Sequence, residues 1–355
     1  MPFMKLSRLL FALVLVFSLQ GLSAQDIHYT LFDMAPLRIN PALTGAFSGT
    51  ARIGGVYRGQ WFAVPGASNV ETPSFYGDAP IIKGFRDKDW VGVGFSFISD
   101  QAGPFNLKTT GAGLSAAYHL AVDKKGANIL TLGAQYNQMQ RRINYAIGGI
   151  RPEEYIDEPL GGGGLISGSQ DFVINGTNGV TERSYKDINI GLLYKSKLDK
   201  TTSLELGLAA LHVNSPPAKL LDRDTVSAGD RAMTLSAHAI YEWAIDEKWS
   251  MAPALYFQTT KGGKNEILVQ AWAGRKMNEE LKLNFGLGWR VGDAASLMFG
   301  GEYKDVRAAL SYDLNLRKTA SSITNTFGGF ELAAYYIIKI YKKPEIPQKI
   351  LCPQL

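Results

Sequence analysis

The sequence predicts an all-β protein, namely a transmembrane antiparallel up-and-down β-barrel of about 14 strands with an N-terminal segment inside its lumen. Three observations carry this expectation: strict alternation of polar and apolar residues, an N-terminal export signal, and no later apolar run long enough for a membrane helix. The odd-numbered residues from 281 to 289 are Leu, Leu, Phe, Leu and Trp, whereas the even-numbered ones from 282 to 290 are Lys, Asn, Gly, Gly and Arg. Successive side chains of a strand point to opposite faces, so such a strand separates water from hydrocarbon.

The first 24 residues are predicted to be a secretory signal peptide. Lys5 and Arg8 precede an apolar run at residues 9–19, which small residues at 21–24 follow. This run is shorter than the roughly 20 residues that a helix needs to cross a hydrocarbon core. We therefore expect cleavage after Ala24, or one residue earlier after Ser23.

Residues 25–49 form the second predicted unit, ahead of the first strand. Pro36, Asn40-Pro41 and Gly45 interrupt any regular element there. Two interpretations are open: a disordered leader, or a compact segment that plugs the lumen. The many apolar residues between Ile27 and Phe47 favour the packed segment.

The barrel itself is predicted over residues 50–341, because alternating stretches bounded by turn residues recur through this region. An even count of strands is typical of single-chain bacterial barrels. The strands are expected at 50–62, 70–79, 88–99, 107–121, 127–140, 184–197, 201–213, 231–244, 247–260, 264–277, 280–291, 296–303, 305–315 and 327–341.

The connections between these strands alternate in length, which sets the expected orientation. Outer-membrane barrels have short periplasmic turns and longer external loops. The long connections, chiefly 141–183 and 214–230, are therefore expected outside the cell, with both termini in the periplasm. The links near Gly262 and at 292–295 are shorter, and the link at 80–87 longer, than this rule predicts.

Ionised residues of the strands are expected inside the barrel, because a charge facing lipid at the midplane costs about 2–4 kcal/mol. Their simplest interpretation is a solvated or ion-paired lumen wall, and the alternative is a specific ligand site. The candidate lumen-facing charges are Arg52, Arg58, Glu205, Lys282, Arg290, Arg307, Asp313, Arg317 and Glu331.

No catalytic, cofactor-binding or metal-binding residues are predicted. The four histidines lack metal-ligand spacing, and Cys352 is the single cysteine. The Gly run at 161–164 lacks the Lys-Ser/Thr ending of a phosphate loop. His212 keeps the outward parity of its strand, so it is the candidate for a membrane-facing hydrolase or, more simply, an interfacial histidine, whereas His238 has inward parity. We therefore expect a protein that is not an enzyme.

The formal net charge is +5 and falls by two when Lys5 and Arg8 are removed, which is too weak to indicate nucleic-acid binding. The last predicted unit, residues 342–355, is a periplasmic tail rich in Lys and Pro. It is interpreted either as a solvated terminus or as a docking segment for periplasmic proteins.

Both ends of the mature chain resemble the PorP/SprF family of type IX secretion outer-membrane proteins. The matching stretches are 25–32, 40–45, 57–61, 310–315, 328–332 and the closing Cys352-Pro353. The departures are Ala35-Pro36, where the family more often has Asn-Pro, and the non-aromatic terminal Leu355. The residues that carry the signature are Asn40, Pro41, Ala42, Gly45, Arg58, Gln60, Trp61, Gly329, Phe330 and Glu331.

The resemblance implies a non-enzymatic outer-membrane component of the type IX secretion system, in bacteria that glide or that secrete adhesins and proteases. Such a component assists export or surface anchoring of secreted proteins such as adhesins. Its implied partners are outer-membrane lipid, a secreted adhesin or its C-terminal domain at the external loops, and periplasmic type IX components. No cofactor is expected. The alternatives are a transport channel for small apolar or polar solutes and a structural barrel tethered to the cell wall.

Overall fold

The computed structural model describes residues 28–60, 70–83, 86, 88–102, 107–144, 180–217, 231–261, 265–316 and 327–340. Fourteen antiparallel strands pair in chain order, and β1 pairs with β14 to close the barrel, which confirms the predicted fold class. The predicted signal peptide and the tail at 342–355 lie outside the described residues. The strands are β1 Ala51–Gln60, β2 Val70–Lys83, β3 Trp90–Ala102, β4 Leu107–Ala121, β5 Asn128–Asn144, β6 Val180–Lys197, β7 Thr202–Leu211, β8 Thr234–Ala244, β9 Trp249–Thr260, β10 Asn265–Lys276, β11 Leu281–Arg290, β12 Ala294–Tyr303, β13 Val306–Asn315 and β14 Phe327–Ile338.

The two faces of the wall follow the alternation in the sequence. In β11, Phe285, Leu287 and Trp289 are exposed on the outside, whereas Asn284 and Arg290 are buried on the inside. The same pattern of exposed and buried residues runs along β4 and most of β5. Closure pairs every strand on both sides, so the wall has no free edge in the hydrocarbon, where unpaired backbone groups are costly.

Three strand ends extend four residues beyond the sequence prediction, which is more than any other strand end does. β2 continues through Pro80 to Lys83 instead of ending at Ala79, and its pairing with β3 shifts register between Pro80 and Ile82. A bulge accommodates proline because proline has no N–H for the ladder. β5 continues to Asn144, and β6 begins at Val180. Both strands therefore reach several residues into the predicted loop at 141–183.

The connections at one end of the barrel are short, and this end is called the short-turn end. Asp246 accepts hydrogen bonds from the backbone N–H groups of Trp249 and Lys248, both at 2.7 Å, and Asn278 accepts equivalent bonds from Leu281 and Glu280. These donors hold the pKa of the Asp246 carboxyl below its usual range. Asp and Asn thus fix these tight turns through side-chain bonds to the backbone two and three residues on.

Residues before β1 fold into the lumen as three short helical turns, Phe32–Met34, Pro36–Ile39 and Pro41–Leu43. They supply the apolar core of the barrel interior. Leu31 and Met34 pack in one cluster with wall residues such as Trp272, and Phe32 and Leu43 pack in a second. Of the two interpretations of residues 25–49, the packed segment is confirmed for the part that is described.

Among the described residues, no helix is long and apolar enough to cross a membrane.

Leu287→Arg should lower the free energy of unfolding by about 2–4 kcal/mol, since Leu287 is 65% exposed on the outer face midway along β11 and would place a cation in hydrocarbon. Val306→Arg is the matched control, because Val306 is the first residue of β13 and the cost falls to about 0–1 kcal/mol near the interface. Urea unfolding in lipid vesicles measures both variants. Equal losses of unfolding free energy in the two variants would contradict the assignment of Leu287 to the outer face of β11.

Candidate functional site in the barrel lumen

The N-terminal segment is attached to the barrel wall at two places, and these define the candidate site. The first is a buried polar group called the seam cluster. The second is the latch, residues Asn40 to Gly45 with the wall residues that they contact. The seam cluster comprises His28, Thr30, Arg58, Glu266, Arg290, Asp313 and Glu331.

Arg58 and Glu331 stand directly opposite each other across the β1–β14 seam and form an ion pair. Both are buried, with 3% and 1% of their surface exposed. The Glu331 carboxylate also accepts hydrogen bonds from the backbone N–H groups of Thr30 and Leu31, each at 2.8 Å. One carboxylate therefore joins the first strand, the last strand and the N-terminal segment.

Arg290 and Asp313 form the second ion pair of the seam cluster, at 3.3 Å. Thr30 bridges them, because its hydroxyl donates to Asp313 Oδ1 at 2.9 Å and accepts from Arg290 Nη2 at 2.8 Å. Ser296 donates a further hydrogen bond of 2.6 Å to the same carboxylate. Buried charges are tolerated when they are paired and hydrogen-bonded in this way.

His28 and Glu266 complete the seam cluster on the side of the N-terminal segment. Arg58 Nη2 donates to His28 Nε2 at 3.1 Å, so this ring nitrogen carries a lone pair. His28 Nδ1 lies 3.5 Å from Glu266, and the second oxygen of Glu266 lies 3.4 Å from Arg290. The cluster thus combines three carboxylates, two guanidinium groups and one imidazole in a single network.

The latch begins with Asn40, which is fully buried and makes three hydrogen bonds. Its Oδ1 accepts from the N–H of Ala42 at 2.9 Å and caps the helical turn that begins at Pro41. Its Nδ2 donates to the backbone carbonyls of Leu192 at 3.0 Å and Leu208 at 3.2 Å. The Asn side chain therefore ties the segment to the backbone of β6 and β7.

Two wall glycines make room for the latch. Gly133 and Gly191 face each other across β5 and β6. A Cβ at Gly133 would lie 2.6 Å from the Cα of Ala42, and one at Gly191 would overlap the Asn40 amide. The segment backbone therefore packs directly on the wall backbone, an approach that a larger residue would block.

The far end of the latch is held by side chains of β2, β3 and β4. Gly45 adopts a φ of +71°, and its N–H donates to Asp78 at 2.7 Å. Its carbonyl accepts from the Trp90 indole at 3.0 Å. His119 Nε2 donates to the carbonyl of Thr44 at 2.8 Å, and its ring stacks on Trp90 at 4.5 Å.

The other candidate charges of the sequence line the inner wall as ion pairs. Arg317 lies outside the described residues. The remaining pairs are Arg52 with Asp78 at 2.8 Å, Arg307 with Asp33 at 2.8 Å, Glu205 with Lys195 at 2.7 Å, and Lys282 with Glu242 at 3.5 Å.

The signature residues outside the latch lie along the β1–β14 seam. Gln60 pairs in register with Gly329. The Phe330 ring covers Gly59, where a Cβ would lie 2.7 Å from the ring, and Phe330 also packs on Tyr57 at 5.6 Å between centroids. Trp61 lies outside the described residues.

Asp78, Glu266 and Asp33 were missed as site residues from the sequence. Asp78 and Glu266 share the inward parity of their strands, as their buried neighbours Tyr76 and Leu268 show, so alternation alone could have found them. Asp33 lies before the first strand, where no periodicity indicates the direction of a side chain.

The outward placement predicted for His212 is wrong. β7 ends at Leu211, and His212 adopts a φ of 56°, which ends the alternation and turns the side chain inward. Only 8% of its surface is exposed, and its Nδ1 lies 2.8 Å from Asp187. His238 lies inside, as its parity predicts, 3.3 Å from Glu205.

Below the N-terminal segment, a cavity of about 890 Å³ lies on the short-turn side of the lumen and is called the vestibule. Its lining includes the last residues of β6, such as Lys197, and early residues of β7 and β11, such as Ser203 and Lys282. This volume falls within the range of about 300–1,000 Å³ that is usual for ligand pockets.

Within the described residues, no three His, Cys, Asp or Glu side chains are arranged to hold a metal ion.

The family model described as "Type IX secretion system membrane protein PorP/SprF" matches residues 21–336 of this chain. No curated protein matches this chain. Similar solved structures include the toluene transporter TodX of Pseudomonas putida, with 15% identity, a TM-score of 0.46, and 90% of this chain and 98% of that chain covered. The toluene transporter TbuX of Ralstonia pickettii has 10% identity, a TM-score of 0.46, and 92% and 100% covered. A FadL homologue of Pseudomonas aeruginosa has 12% identity, a TM-score of 0.43, and 84% and 92% covered.

Gly133→Ala should displace the latch, because its Cβ would overlap the backbone at Ala42. Overpacking of this kind costs about 1–3 kcal/mol. We expect a lower urea midpoint of unfolding for this variant. In planar bilayers the variant should show open-channel conductance, whereas the wild type should be nearly closed. Gly301→Ala is the control, since its Cβ would have no neighbour nearer than 3.7 Å. The same behaviour in both variants would argue against the latch.

Glu331→Ala should destabilise the barrel by about 3–5 kcal/mol, because it leaves the buried Arg58 with only the more distant Asp313, at 3.6 Å, and removes the acceptor of two backbone N–H groups. The double variant Arg58→Leu with Glu331→Leu should recover a measurable part of this loss, since it leaves no unpaired charge. Equilibrium unfolding of Arg58→Leu, Glu331→Leu and the double variant gives the coupling free energy. A coupling near zero would contradict the ion pair across the seam.

Proposed function

Because this chain belongs to the PorP/SprF family of type IX secretion system membrane proteins, we propose that it acts as a closed outer-membrane anchor in that system. In this role it performs no chemistry. Its external loops hold a secreted protein, such as an adhesin or its C-terminal domain, at the cell surface. Its short-turn end faces the periplasm and contacts other components of the machinery.

The filled lumen is the observation that carries this proposal. The N-terminal segment packs in two apolar clusters and is hydrogen-bonded to the wall at both the seam cluster and the latch. A barrel held in this way is a rigid wall rather than a conduit. Anchoring requires such a wall, whereas solute transport requires a continuous path from the external loops into the lumen.

The two longest strands support a binding platform at the external end. β5 has 17 residues and β6 has 18, whereas a transmembrane strand needs about 9–11. The outer face near their external ends is polar, so this hairpin rises beyond the hydrocarbon. The exposed polar residues there are Gln138, Gln140, Arg142, Glu182, Ser184 and Lys186. The connection between the strands, residues 145–179, lies outside the described residues and is the proposed client-binding loop.

No feature of the described residues favours the transport alternative specifically. The vestibule has a mixed lining of charged, polar and apolar groups and lies on the short-turn side, whereas a route for apolar solutes would begin at the external loops. The conductance of the wild-type control described above separates the two functions. Sustained conductance without any substitution would favour a channel.

Replacing residues 145–179 with a short Gly-Ser linker should release secreted client protein from the cell surface into the medium. The barrel should still assemble, since the change lies beyond the paired ends of β5 and β6 at Asn144 and Val180. The surface proteome of cells carrying the variant measures this release. A Gly-Ser replacement of residues 103–106, the link between β3 and β4, is the control. Retention of all surface proteins by the loop variant, in cells where deletion of the whole chain releases them, would overturn the assignment of this loop.

A further inference from the structure

The vestibule has a charge pattern that the anchoring role does not use. Its lining includes seven basic and four acidic side chains. The basic ones are Arg52, Lys88, Lys125, Lys195, Lys197, Lys282 and Arg307, and the acidic ones are Asp33, Glu205, Glu242 and Glu302. The vestibule lining therefore carries an excess of positive charge. This surface lies inside the barrel and not against lipid.

Ion pairs neutralise only part of this lining. Asp33 pairs with Arg307, Glu205 with Lys195 and Glu242 with Lys282, while Asp78, which binds the latch, neutralises Arg52. Glu302 lies 3.9 Å from both Lys282 and Arg307. Lys88, Lys125 and Lys197 have no acidic partner among the described residues.

These three lysines lie on one side of the rim. The turn that carries Lys125 connects β4 and β5, and the backbone N–H of Lys197 donates to Ala127 of the same turn at 2.8 Å. The Lys88 stem approaches Gly126, where a Cβ would lie 3.3 Å from it. All three side chains are exposed, so they present a compact patch of positive charge at the vestibule mouth.

The inner end of the vestibule contains polar groups that lack partners. The Gln270 amide is 2% exposed, and neither its nitrogen nor its oxygen has a hydrogen-bond partner among the described residues. The indole N–H of the neighbouring wall residue Trp272 is buried without a hydrogen-bond acceptor in the same described part of the chain. Leaving such groups unsatisfied costs about 1–3 kcal/mol each, which a ligand that reaches them can recover.

We propose that the vestibule is a receptor site for an acidic peptide segment of a periplasmic protein. This inference rests on the proposed function, because it takes the short-turn end to face the periplasm. Carboxylates of the segment pair with Lys88, Lys125 and Lys197 at the rim. A peptide group of the segment offers both a donor and an acceptor, which is what the Gln270 amide at the inner end requires.

The observations favour a peptide over the other anionic occupants. A lipid headgroup would have to leave the bilayer, since the lysines line the lumen and not the outer wall. A small anion would satisfy the rim and leave Gln270 and Trp272 without partners. The chain's own tail, residues 342–355, carries three lysines and one glutamate and is repelled by a basic rim.

The test uses the full mature chain in nanodiscs and a fluorescein-labelled Gly-Ser peptide with four glutamates, next to its counterpart with four glutamines. The glutamate peptide should bind and the glutamine peptide should not. Binding should weaken as salt rises, because exposed charges are screened beyond about 8–10 Å at physiological ionic strength. Equal binding of both peptides would overturn the proposal, and so would displacement of the glutamate peptide by anionic phospholipid in the nanodisc.

Two variant sets locate the site. The triple variant K88Q/K125Q/K197Q should bind the glutamate peptide about tenfold more weakly at low salt, as expected for three exposed charge pairs. K124Q/K200Q/K276Q is the matched control, because these lysines are exposed at the same end but do not line the vestibule. Gln270→Leu should weaken binding by an amount that salt does not change. Equal affinities of the wild type and the first triple variant would overturn the assignment.

Peptide binding by the vestibule and client release by the Gly-Ser loop variant together separate this inference from the proposed function. If the vestibule binds the peptide but the Gly-Ser loop variant retains every surface client, then the role of the external loop fails and the receptor site stands. If the loop variant releases client proteins but the vestibule does not bind the glutamate peptide, then only the receptor site fails.

Discussion

The ion pair between Arg58 and Glu331 is the interaction on which the rest of the structure depends. The two residues are separated by 273 positions in the chain and meet across the seam that closes the barrel. The same carboxylate binds the backbone of Thr30 and Leu31, so closure of the wall and filling of the lumen share one group. A barrel without this contact would lose a side-chain link across the seam together with part of one of the two attachments of the N-terminal segment.

The pair specifies pairing register more than it adds stability. A buried ion pair gains little over well-packed apolar residues once the cost of desolvation is included. A slip of one residue between β1 and β14, however, would move Arg58 or Glu331 to the lipid face, where a charge is costly. The buried charges therefore exclude the wrong registers at the seam between the first and last strands, which no turn joins directly.

Alternation in the sequence was sufficient to predict all fourteen strands, because each wall residue faces either hydrocarbon or lumen and its polarity reports which. It was insufficient where this constraint ends. The outer faces of β5 and β6 become polar towards Asn144 and Val180, so the sequence prediction made both strands four residues too short at these ends. His212 follows the last residue of β7, and its backbone leaves the strand conformation that the parity argument assumes.

The candidate site was only partly predictable for a different reason. Parity predicted that Arg290 and Asp313 face inward, but which charges meet depends on closure of the barrel and on the path of the N-terminal segment. Predicting the roles of Asn40, Gly133 and Gly191 also requires knowledge of the path of this segment. The family signature marked several of these residues, and the structure gives their physical reason: they are where the segment touches the wall or where the seam closes.

Placement of Glu331 in the final strand has a consequence for biogenesis. The N-terminal segment is synthesised first, whereas the carboxylate that accepts its hydrogen bonds lies in β14, which is synthesised after the other strands. Before the barrel closes, the apolar residues around Phe32 and Leu37 thus have no completed interior to enter, and exposed apolar segments of this kind aggregate. Ordering of the amino terminus is accordingly coupled to the pairing of β1 with β14, and the segment has to stay free of aggregation until that step.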